Sequence, residues 1–358
     1  MSRSPALVRN ELIVPGRHNE RVGDPERLRR LLREQAGLDL AALREADGGQ
    51  SGSTYLATGS DGTPSVLKVG PNAEFGALTQ VTDALRGRGY PAPRIYASGQ
   101  VEGRSFWLQE FLPGAVLNDQ ADPYRLLPEL LRLNDAQAGA GDGGHRLSEV
   151  LAMTLTVGGD GYCVHATLDK RPDTRDLLAT LRRTAGRCLD AIPERDDYVH
   201  YDFTLANLLT DGRGITGVID LNPPPLTGDR VFDLATLLFY HYDQDDVRDR
   251  LRARALELTG DRALRVYLAH MVLRQVDWSL RHHPDGPATR HHLRLAVSSS
   301  ATSASAVRCL RPPYAEQSSA NTVHSLGKFR SVTCSESSAG GPMMAVSGSP
   351  ITSWSFSG

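Results

Sequence analysis

The sequence predicts an α+β protein, in which a small β-rich N-terminal part precedes a larger and mainly helical part. Two observations carry this prediction. Residues 44 to 112 contain short strand-like apolar runs with one helical segment among them. After residue 112, apolar residues recur at helical spacing in several long segments. At 358 residues, the chain is long enough for two parts that share a large core.

Helices are predicted wherever apolar residues keep a helical period. The first begins at Asp24 and Pro25, an N-cap residue and a first-turn proline, and leucines at helical intervals lead to a stop near Gly37. Later helices are predicted over residues 122–134, 173–189, 244–258 and 261–282. Because these follow residue 112, the second part is predicted to be mainly helical.

A segment rich in glycine and small hydroxyl residues, Gly48 to Ala57, predicts a hairpin that covers a nucleotide. Its glycines permit close backbone approach, and free N–H groups there can meet phosphate oxygens. Ser51, Gly52 and Ser53 are the candidate binding residues. The alternative is an ordinary hairpin turn. The segment is not a Walker A motif, since no G-K-[ST] closes it.

The strand predicted at Ser65 to Val69 carries Lys68 among apolar neighbours. A lysine on a strand is more often an exposed edge residue. Lys68 nevertheless follows the glycine-rich segment in the order that kinases use for the lysine that binds ATP phosphates. Glu74, on the next predicted helix, is the candidate ion-pair partner of Lys68, with a solvated surface acid as the alternative.

The segment from Val199 to Ala235 contains most of the functional information. His200, Asp202 and Asn207 form an H-x-D-x-x-x-x-N pattern, and Asp220 follows a short apolar run. Phosphoryl transfer needs a carboxylate near the acceptor hydroxyl and separate oxygen ligands for magnesium. Asp202 is therefore the candidate catalytic residue.

Asn207 and Asp220 are the candidate Mg²⁺ ligands. Two short strands joined by a turn at residues 210–214 would place Asp220 at the end of the second strand. Each residue alone would more often be a cap or turn residue. The combination predicts a site that uses ATP and Mg²⁺.

This segment resembles the catalytic core of the aminoglycoside phosphotransferase and choline kinase family, a branch of the protein-kinase-like fold. The matching motifs are H-x-D-F-x-x-x-N at 200–207, V-I-D at 218–220 and G-D-x-x-x-D-L-A at 228–235. The resemblance implies a two-lobe fold. We expect an N-terminal nucleotide-binding lobe at residues 1–112 and a C-terminal catalytic and acceptor-binding lobe at residues 113–297.

The chain departs from the family pattern at three positions. Tyr201, Leu221 and Arg230 stand where the family commonly has Gly, Trp and Pro. None of them removes a proton acceptor or metal ligand, so we expect activity to survive and substrate preference to change. Two further acids need roles: we predict that Asp233 caps the following helix and that Asp229 supports the catalytic loop.

The family's hinge, whose backbone contacts adenine, is matched by the end of the apolar run before Pro113. By this resemblance, the adenine-binding residues are Gln109, Glu110, Phe111 and Leu112. The alternative is an ordinary strand exit, because no side chain here requires a nucleotide.

Composition excludes several function classes. A net charge of −2 argues against a general nucleic-acid binder. The four cysteines lack metal-ligand spacing and a disulfide pattern, which favours a reduced, cytoplasmic setting. No segment has the length and apolarity of a secretion signal or a membrane span. The sequence does not indicate an oligomeric state.

The predicted partner is a small molecule with a hydroxyl group. An acidic rim at Asp243, Asp245, Asp246, Asp249 and Asp277 would attract an aminoglycoside or a basic peptide antibiotic. Such an acceptor, and with it a role in antibiotic resistance, is what the family resemblance implies. The alternative is that these acids belong to the solvated first turn of a helix and bind no ligand. A metabolite kinase for choline, a sugar or homoserine, and a non-catalytic pseudokinase-like protein that binds nucleotide, also remain open.

Two features near the C-terminal end are assigned no chemistry. The adjacent histidine pairs, 282–283 and 291–292, are predicted to be surface residues. Residues 298–358 contain 17 Ser in 61 residues, a composition that predicts a disordered tail. An interaction tail and an altered reading frame are the alternatives.

Overall fold

The computed structural model describes residues 24–46, 54–70, 76–117, 123–159, 161–221 and 223–308. Its strands are β1 Leu40–Glu45, β2 Thr54–Gly59, β3 Pro64–Gly70, β4 Ile95–Val101, β5 Arg104–Glu110, β6 Ala115–Val116, β7 His145–Arg146, β8 Asp197–Val199, β9 Leu208–Thr210, β10 Ile215–Val218 and β11 Leu226–Gly228. Its helices are α1 Pro25–Ala36, α2 Gly76–Gly87, α3 Pro123–Ala136, α4 Leu147–Thr156, α5 His165–Asp169, α6 Pro172–Cys188, α7 Val231–Tyr240, α8 Asp245–His282 and α9 Pro287–Arg308.

The N-terminal lobe is an antiparallel sheet of five strands in the order β1-β2-β3-β5-β4. Helix α1 covers one face, where Leu28 and Leu32 pack with buried sheet residues such as Tyr55 and Phe106. Helix α2 instead packs through Leu78, among other residues, into the core of the larger lobe. The small lobe therefore has its own apolar core and also shares the main one.

The local sequence explains the ends of α1. The Asp24 carboxylate accepts a hydrogen bond of 3.1 Å from the Glu26 N–H, and Pro25 occupies the first turn. Gly37 ends the helix in the left-handed region at φ 68°, which glycine adopts without a Cβ penalty. The predicted start and stop of this helix are confirmed.

The C-terminal lobe is built around the packing of α7 on α8. Helix α7 is buried along nearly its whole length, and Phe232 and Phe239 are fully buried there. The helices predicted over 122–134 and 173–189 correspond to α3 and α6. The last two predicted helices form the two halves of α8, which meet at Gly260 with non-helical angles of φ 79° and ψ 170°.

The predicted α+β class, with a small β-rich lobe before a larger helical one, is thus confirmed. The chain leaves the first sheet at Glu110 and enters the second lobe through β6, which pairs with β9. The division at residue 112 falls in this connection, and the domain boundaries themselves remain our prediction. Among the described helices, none combines the length and apolar character that crossing a membrane requires.

The predicted start of the tail at residue 298 is wrong. Helix α9 continues through the first serines to Arg308. Its first half packs on the core through Leu295 and Ala296, and the Ser299 hydroxyl donates back to the Ala296 carbonyl. Serine can satisfy its hydroxyl in this way inside a helix. Residues 309–358 lie outside the described residues, so the disorder predicted for them stays a prediction.

The prediction of surface histidines is wrong for His292. Its side chain is buried, and its Nδ1 lies 2.6 Å from the Ser279 hydroxyl on α8. Adjacent histidines on a helix point in different directions, so one of a pair can enter the core while its neighbour does not. Within the described residues, no group of three or more His, Cys, Asp or Glu side chains could hold a metal ion.

Candidate active site

The segment His200–Asn207, here called the catalytic loop, connects β8 to β9. Phe203 is fully buried and holds the middle of the loop against the core. The His200 ring lies with Nε2 2.9 Å from the Ile219 carbonyl oxygen. Because a carbonyl only accepts, Nε2 carries the proton in this contact. His200 thus ties the catalytic loop to the segment that ends in Asp220.

Asp202 and Asn207 lie side by side. The Asn207 Nδ2 donates to the Asp202 backbone carbonyl at 2.8 Å and to its Oδ2 at 3.1 Å. These bonds engage the amide nitrogen, so the amide oxygen of Asn207 is the atom suited to a metal ion. The spacing of five residues therefore lets one short loop present both side chains at one place.

Lys68 of β3 reaches across the two lobes and forms an ion pair with Asp220. The two side chains are 13% and 11% exposed, respectively. Asp220 follows β10, where the Ile219 N–H donates to the Asn207 carbonyl at 2.9 Å. Lys68, Asn207 and Asp220, which were singled out separately in the sequence, therefore meet in space.

Asp220 has a left-handed backbone at φ 66°. A non-glycine residue in this region costs of order 1–3 kcal/mol and persists where the surroundings hold it. Such positions cluster at functional sites, which agrees with the candidate role of Asp220 as a metal ligand.

Some predicted nucleotide contacts lie outside the described residues. These are Ser51, Gly52 and Ser53 of the glycine-rich segment, and Glu74, the expected partner of Lys68. Their roles stay predictions. The ion pair that the structure describes for Lys68 is the one with Asp220.

The side chains of the predicted hinge have structural contacts. Gln109 is buried and accepts a hydrogen bond of 3.1 Å from the indole of Trp107. The Glu110 carboxylate accepts from Arg86 at 2.9 Å and from the Arg94 N–H at 3.0 Å. Phe111 is 42% exposed. Any adenine contact would therefore use the backbone, as the family resemblance implies, and it remains a prediction.

The connection after the hinge lies against the hairpin that precedes Asp220. The Leu117 N–H donates to the Leu208 carbonyl at 2.8 Å, and the Thr216 hydroxyl donates to the Pro113 carbonyl at 2.9 Å. A Cβ on Gly217 would lie only 2.9 Å from the Leu112 side chain. A larger residue there would require the Leu112 side chain to shift. The hinge candidate Leu112 is therefore a direct neighbour of the β9–β10 hairpin that precedes Asp220.

The roles predicted for Asp233 and Asp229 are reversed in the structure. Asp233 lies inside the first turn of α7 and is fully buried. Its carboxylate accepts from the backbone N–H groups of His200 and Tyr201 at 2.8 and 2.9 Å, and from Gln137 at 2.6 Å. Burial raises the pKa of the Asp233 carboxyl, and these donors oppose the shift. Asp233, and not Asp229, supports the catalytic loop.

Asp229 instead stabilises the start of α7 and its packing on α8. Its Oδ1 accepts from the Val231 N–H at 3.2 Å, which satisfies a donor of the first helical turn. Its Oδ2 accepts from the Tyr267 hydroxyl at 2.8 Å and also from Thr259. The sequence could not distinguish the two acids, because both lie close to the start of the same apolar helix and only packing decides which carboxylate faces the loop.

Tyr201 occupies a position that glycine would occupy more easily, with φ 71°. Its ring stacks on Phe232 with centroids 5.3 Å apart, and its hydroxyl lies 2.9 Å from His270 Nε2 and 3.2 Å from the Tyr162 hydroxyl. These contacts hold a backbone conformation that a side chain disfavours. The departure from the family's glycine is thus matched by a specific set of neighbours.

Arg274 is a site residue that the sequence analysis missed. It lies on α8, and its guanidinium donates to the Tyr201 carbonyl at 2.9 Å and to the Asp202 Oδ1 at 3.1 Å. The available signal was an arginine within the apolar run from Met271 to Val276. A buried charge is rare unless it is paired, so this position could have been marked for a buried partner.

The predicted acidic rim is only partly present. Asp277 is fully buried and pairs with Arg281 at 2.9 Å, so it cannot belong to a surface rim. Asp245 and Asp249 are exposed, but both pair with Arg248. Asp243 and Asp246 are also exposed. The Asp-rich helix start therefore resembles the solvated alternative more than a concentrated acidic surface.

Two buried histidines should make the protein sensitive to acid. Burial, with Arg274 nearby, lowers the pKa of His270 to about 3, and burial lowers the pKa of His292 to about 4. Unfolded histidine takes up a proton near pH 6.5. Below that pH the unfolded chain binds more protons than the folded one, so the unfolding free energy falls as pH decreases.

We expect the two histidines to lower the unfolding free energy by roughly 4 kcal/mol between pH 7 and pH 5. Urea unfolding followed at several pH values measures this loss. His292→Gln should make the decline shallower, whereas the exposed His282→Gln should leave it unchanged. Equal slopes for wild type and His292→Gln would contradict the assignment.

A family model described as "Phosphotransferase enzyme family" matches residues 42–267. Among solved structures, aminoglycoside phosphotransferase APH(4)-Ia is 18% identical and gives a TM-score of 0.58, covering 78% of this chain and 99% of that chain. A thermostable mutant of that enzyme, in a ternary complex with AMP-PNP and hygromycin B, is 18% identical and gives a TM-score of 0.58. The match covers 77% of this chain and 99% of that chain.

An aminoglycoside phosphotransferase from Alicyclobacillus acidocaldarius subsp. acidocaldarius is 14% identical, covers 76% of this chain and 94% of that chain, and gives a TM-score of 0.50. At these identities, the similarities show the fold. The predicted protein-kinase-like two-lobe fold is confirmed by them. A search of curated proteins found no match.

Proposed function

The chain belongs to the phosphotransferase enzyme family, and from this premise we propose that it transfers the γ-phosphate of ATP to a hydroxyl group of a small molecule. One observation carries the proposal. Lys68 comes from the small lobe, and Asp202, Asn207 and Asp220 come from the large one, yet they lie at one place between the lobes. Phosphoryl transfer needs these charges in the same place.

In the proposed reaction, the acceptor oxygen forms a bond to the γ-phosphorus, and the bond from that phosphorus to the bridging oxygen of ADP breaks. The hydroxyl proton goes to a carboxylate oxygen of Asp202. Asn207 donates to both the backbone carbonyl and the carboxylate of Asp202, so the acceptor meets an oriented base. Positioning and charge stabilisation supply most of the catalysis in this chemistry.

The donor set fits a magnesium ion. Asn207 offers an amide oxygen, Asp220 offers a carboxylate, and Mg²⁺ prefers hard oxygen ligands while retaining water and substrate phosphates. A bound Mg²⁺ neutralises charge on the phosphates. Lys68 would leave its ion pair with Asp220 and bind phosphate oxygens, which provides the nucleotide with a cation and releases a carboxylate oxygen for the metal.

For the acceptor, we propose an aminoglycoside or a basic peptide antibiotic as the first class to test. The family resemblance supports it, and so does the fold shared with an enzyme whose structure contains hygromycin B. The exposed Asp243 and Asp246 add negative charge to one side of the C-terminal lobe. Such charge attracts cations by long-range steering.

A metabolite kinase is the second candidate, and the pairing of acids favours it. Arg281 neutralises Asp277, and Arg248 neutralises Asp245 and Asp249. An acceptor with little positive charge, such as a sugar, would lose less attraction from this pairing than a polycation would. The two candidates therefore predict different salt dependences: salt should weaken the binding of a polycation strongly and that of a sugar little, because only a polycation depends strongly on surface acids.

The experiment is a measurement of ATP consumption by purified protein with Mg²⁺, across aminoglycosides, basic peptide antibiotics, choline, homoserine and sugars. Mass spectrometry then identifies a phosphate adduct. We expect one acceptor class to give a product heavier by one phosphoryl group. A phosphorylated metabolite alone would select the second candidate. If the protein binds ATP but neither forms a product nor hydrolyses ATP, the result would favour a non-catalytic binding protein and contradict the proposal.

A further inference from the structure

We propose that Arg274 is the positioning residue that orients the Asp202 carboxylate toward the acceptor hydroxyl. This inference rests on the phosphotransferase function proposed above, because it assigns to Asp202 the contact with the acceptor. Arg274 lies on α8, 72 residues along the chain from Asp202, and belongs to none of the three sequence motifs. It adds a residue of this chain to the site.

The geometry of Arg274 is that of a fork. One guanidinium nitrogen donates to the Tyr201 carbonyl at 2.9 Å, and another donates to the Asp202 Oδ1 at 3.1 Å. The two contacts engage consecutive residues of the catalytic loop, one through the backbone and one through the side chain. A planar guanidinium can make both at once, whereas an ammonium group offers only a point charge.

Arg274 and Asn207 act on opposite oxygens of the same carboxylate. Oδ1 of Asp202 accepts from Arg274, and Oδ2 accepts from Asn207 at 3.1 Å. The carboxylate plane is therefore held from both sides. An ionised carboxylate has about four lone-pair sites, so two remain for the acceptor hydroxyl. Holding the group in one orientation while leaving a site open is what a positioning role requires.

The surroundings hold Arg274 in this place. Its guanidinium carbon lies 4.9 Å from the centre of the Tyr201 ring, a cation–π distance, and the ring is itself stacked on Phe232. His270 lies one helical turn before Arg274 and contacts the Tyr201 hydroxyl at 2.9 Å. Helix α8 thus touches the catalytic loop through two residues of one face.

Burial makes this contact more than a surface ion pair. The side chains of Arg274 and Asp202 are 12% and 10% exposed. Exposed ion pairs contribute little because water screens them, whereas charges near the interior interact more strongly. This contact also explains why Tyr201 stands where the family commonly has glycine, because the tyrosine ring covers Arg274, which orients the Asp202 carboxylate.

The test compares Arg274→Ala, Arg274→Lys and a control, Arg265→Ala, in the full chain. Arg265 lies on the same helix, its side chain is 10% exposed, and it pairs at 2.6 Å with Asp261, which is 34% exposed, so its loss removes the ion pair of a buried arginine away from the catalytic loop. Turnover is measured with the acceptor found in the screen or, without one, as ATP hydrolysis. Thermal unfolding and Mg-ATP affinity are measured in parallel.

We expect Arg274→Ala to lower kcat by about 30- to 100-fold, the scale of a misplaced reacting group, with Mg-ATP affinity within about threefold of wild type. Arg274→Lys should recover part of this loss. Added guanidine should raise the rate of folded Arg274→Ala but not that of Arg265→Ala. Arg265→Ala should change stability without a comparable loss of kcat.

The outcomes separate this inference from the proposed function. If wild type neither phosphorylates an acceptor nor hydrolyses ATP, the proposed function fails and the role of Arg274 fails with it. If wild type is active and both Arg274 variants keep kcat within twofold, only the inference is overturned. If Arg274→Ala does not fold, Arg274→Lys decides: a kcat equal to wild type, with the fork removed, overturns the inference.

Discussion

Replacing Asp202 with Ala is expected to lower kcat by about a thousandfold, the typical contribution of a positioned general base. Mg-ATP affinity should change little, because Lys68 and Asp220 remain. The loss arises from two causes: the acceptor hydroxyl loses its proton acceptor, and the group that orients it disappears. Single-turnover kinetics with saturating ATP, together with a separate nucleotide-binding measurement, distinguishes the chemical step from binding.

The controls for Asp202 follow from its contacts. Asp202→Asn keeps the shape, but its single amide oxygen can accept from only one of the two donors, Asn207 or Arg274, which bond to opposite carboxylate oxygens; it should fold better than Asp202→Ala while remaining as slow. Asp211, an exposed acid in the turn before β10, bonds only to turn N–H groups in the described contacts, so Asp211→Ala should retain wild-type kcat. An active Asp202→Asn enzyme would show that proton transfer to this residue is not required.

Replacing Asp233 with Ala should give the largest loss of stability. The fully buried carboxylate accepts hydrogen bonds from two backbone N–H groups of the catalytic loop and from Gln137. Each buried donor left without a partner costs about 1–3 kcal/mol, so we expect the unfolding free energy to fall by roughly 4 kcal/mol. Because the loop loses its support, kcat of the remaining folded enzyme should also fall.

Asp229→Ala is the matched comparison for Asp233→Ala. Asp229 is equally buried, but its partners are the start of α7, residues of α8 and Arg195, none of which belongs to the catalytic loop. Asp229→Ala should lower the free energy of unfolding, while the folded variant keeps most of the wild-type kcat. Chemical denaturation and kinetics of both variants test this difference. Wild-type kcat in Asp233→Ala together with a large loss in Asp229→Ala would restore the assignment made from sequence.

Short-range patterns predicted much of the fold and the site. The capping residues Asp24 and Gly37 placed helix α1, because caps act on N–H and carbonyl groups within one turn. The spacing of Asp202 and Asn207 likewise placed two side chains together, since a loop of five residues leaves few alternatives. These features depend on neighbours in the chain, and so they are visible in the sequence.

Other predictions failed where distant parts of the chain compete. Asp277 follows the same helical pattern as exposed acids, yet packing buries it beside Arg281. The serines at the start of the expected tail join α9 because the preceding turns of that helix already pack on α8. Composition is a property of a segment, whereas burial depends on what the rest of the chain brings against it.

The linear sequence was sufficient to identify the family, the two-part architecture and the candidate chemistry of Lys68, Asp202, Asn207 and Asp220, because side-chain type and spacing express them directly. Packing was needed to show that Asp233 supports the catalytic loop and that Arg274 contacts Asp202. Both contacts join residues at least 32 positions apart. Their geometry depends on how α7 and α8 pack against the loop, and no local preference encodes that arrangement.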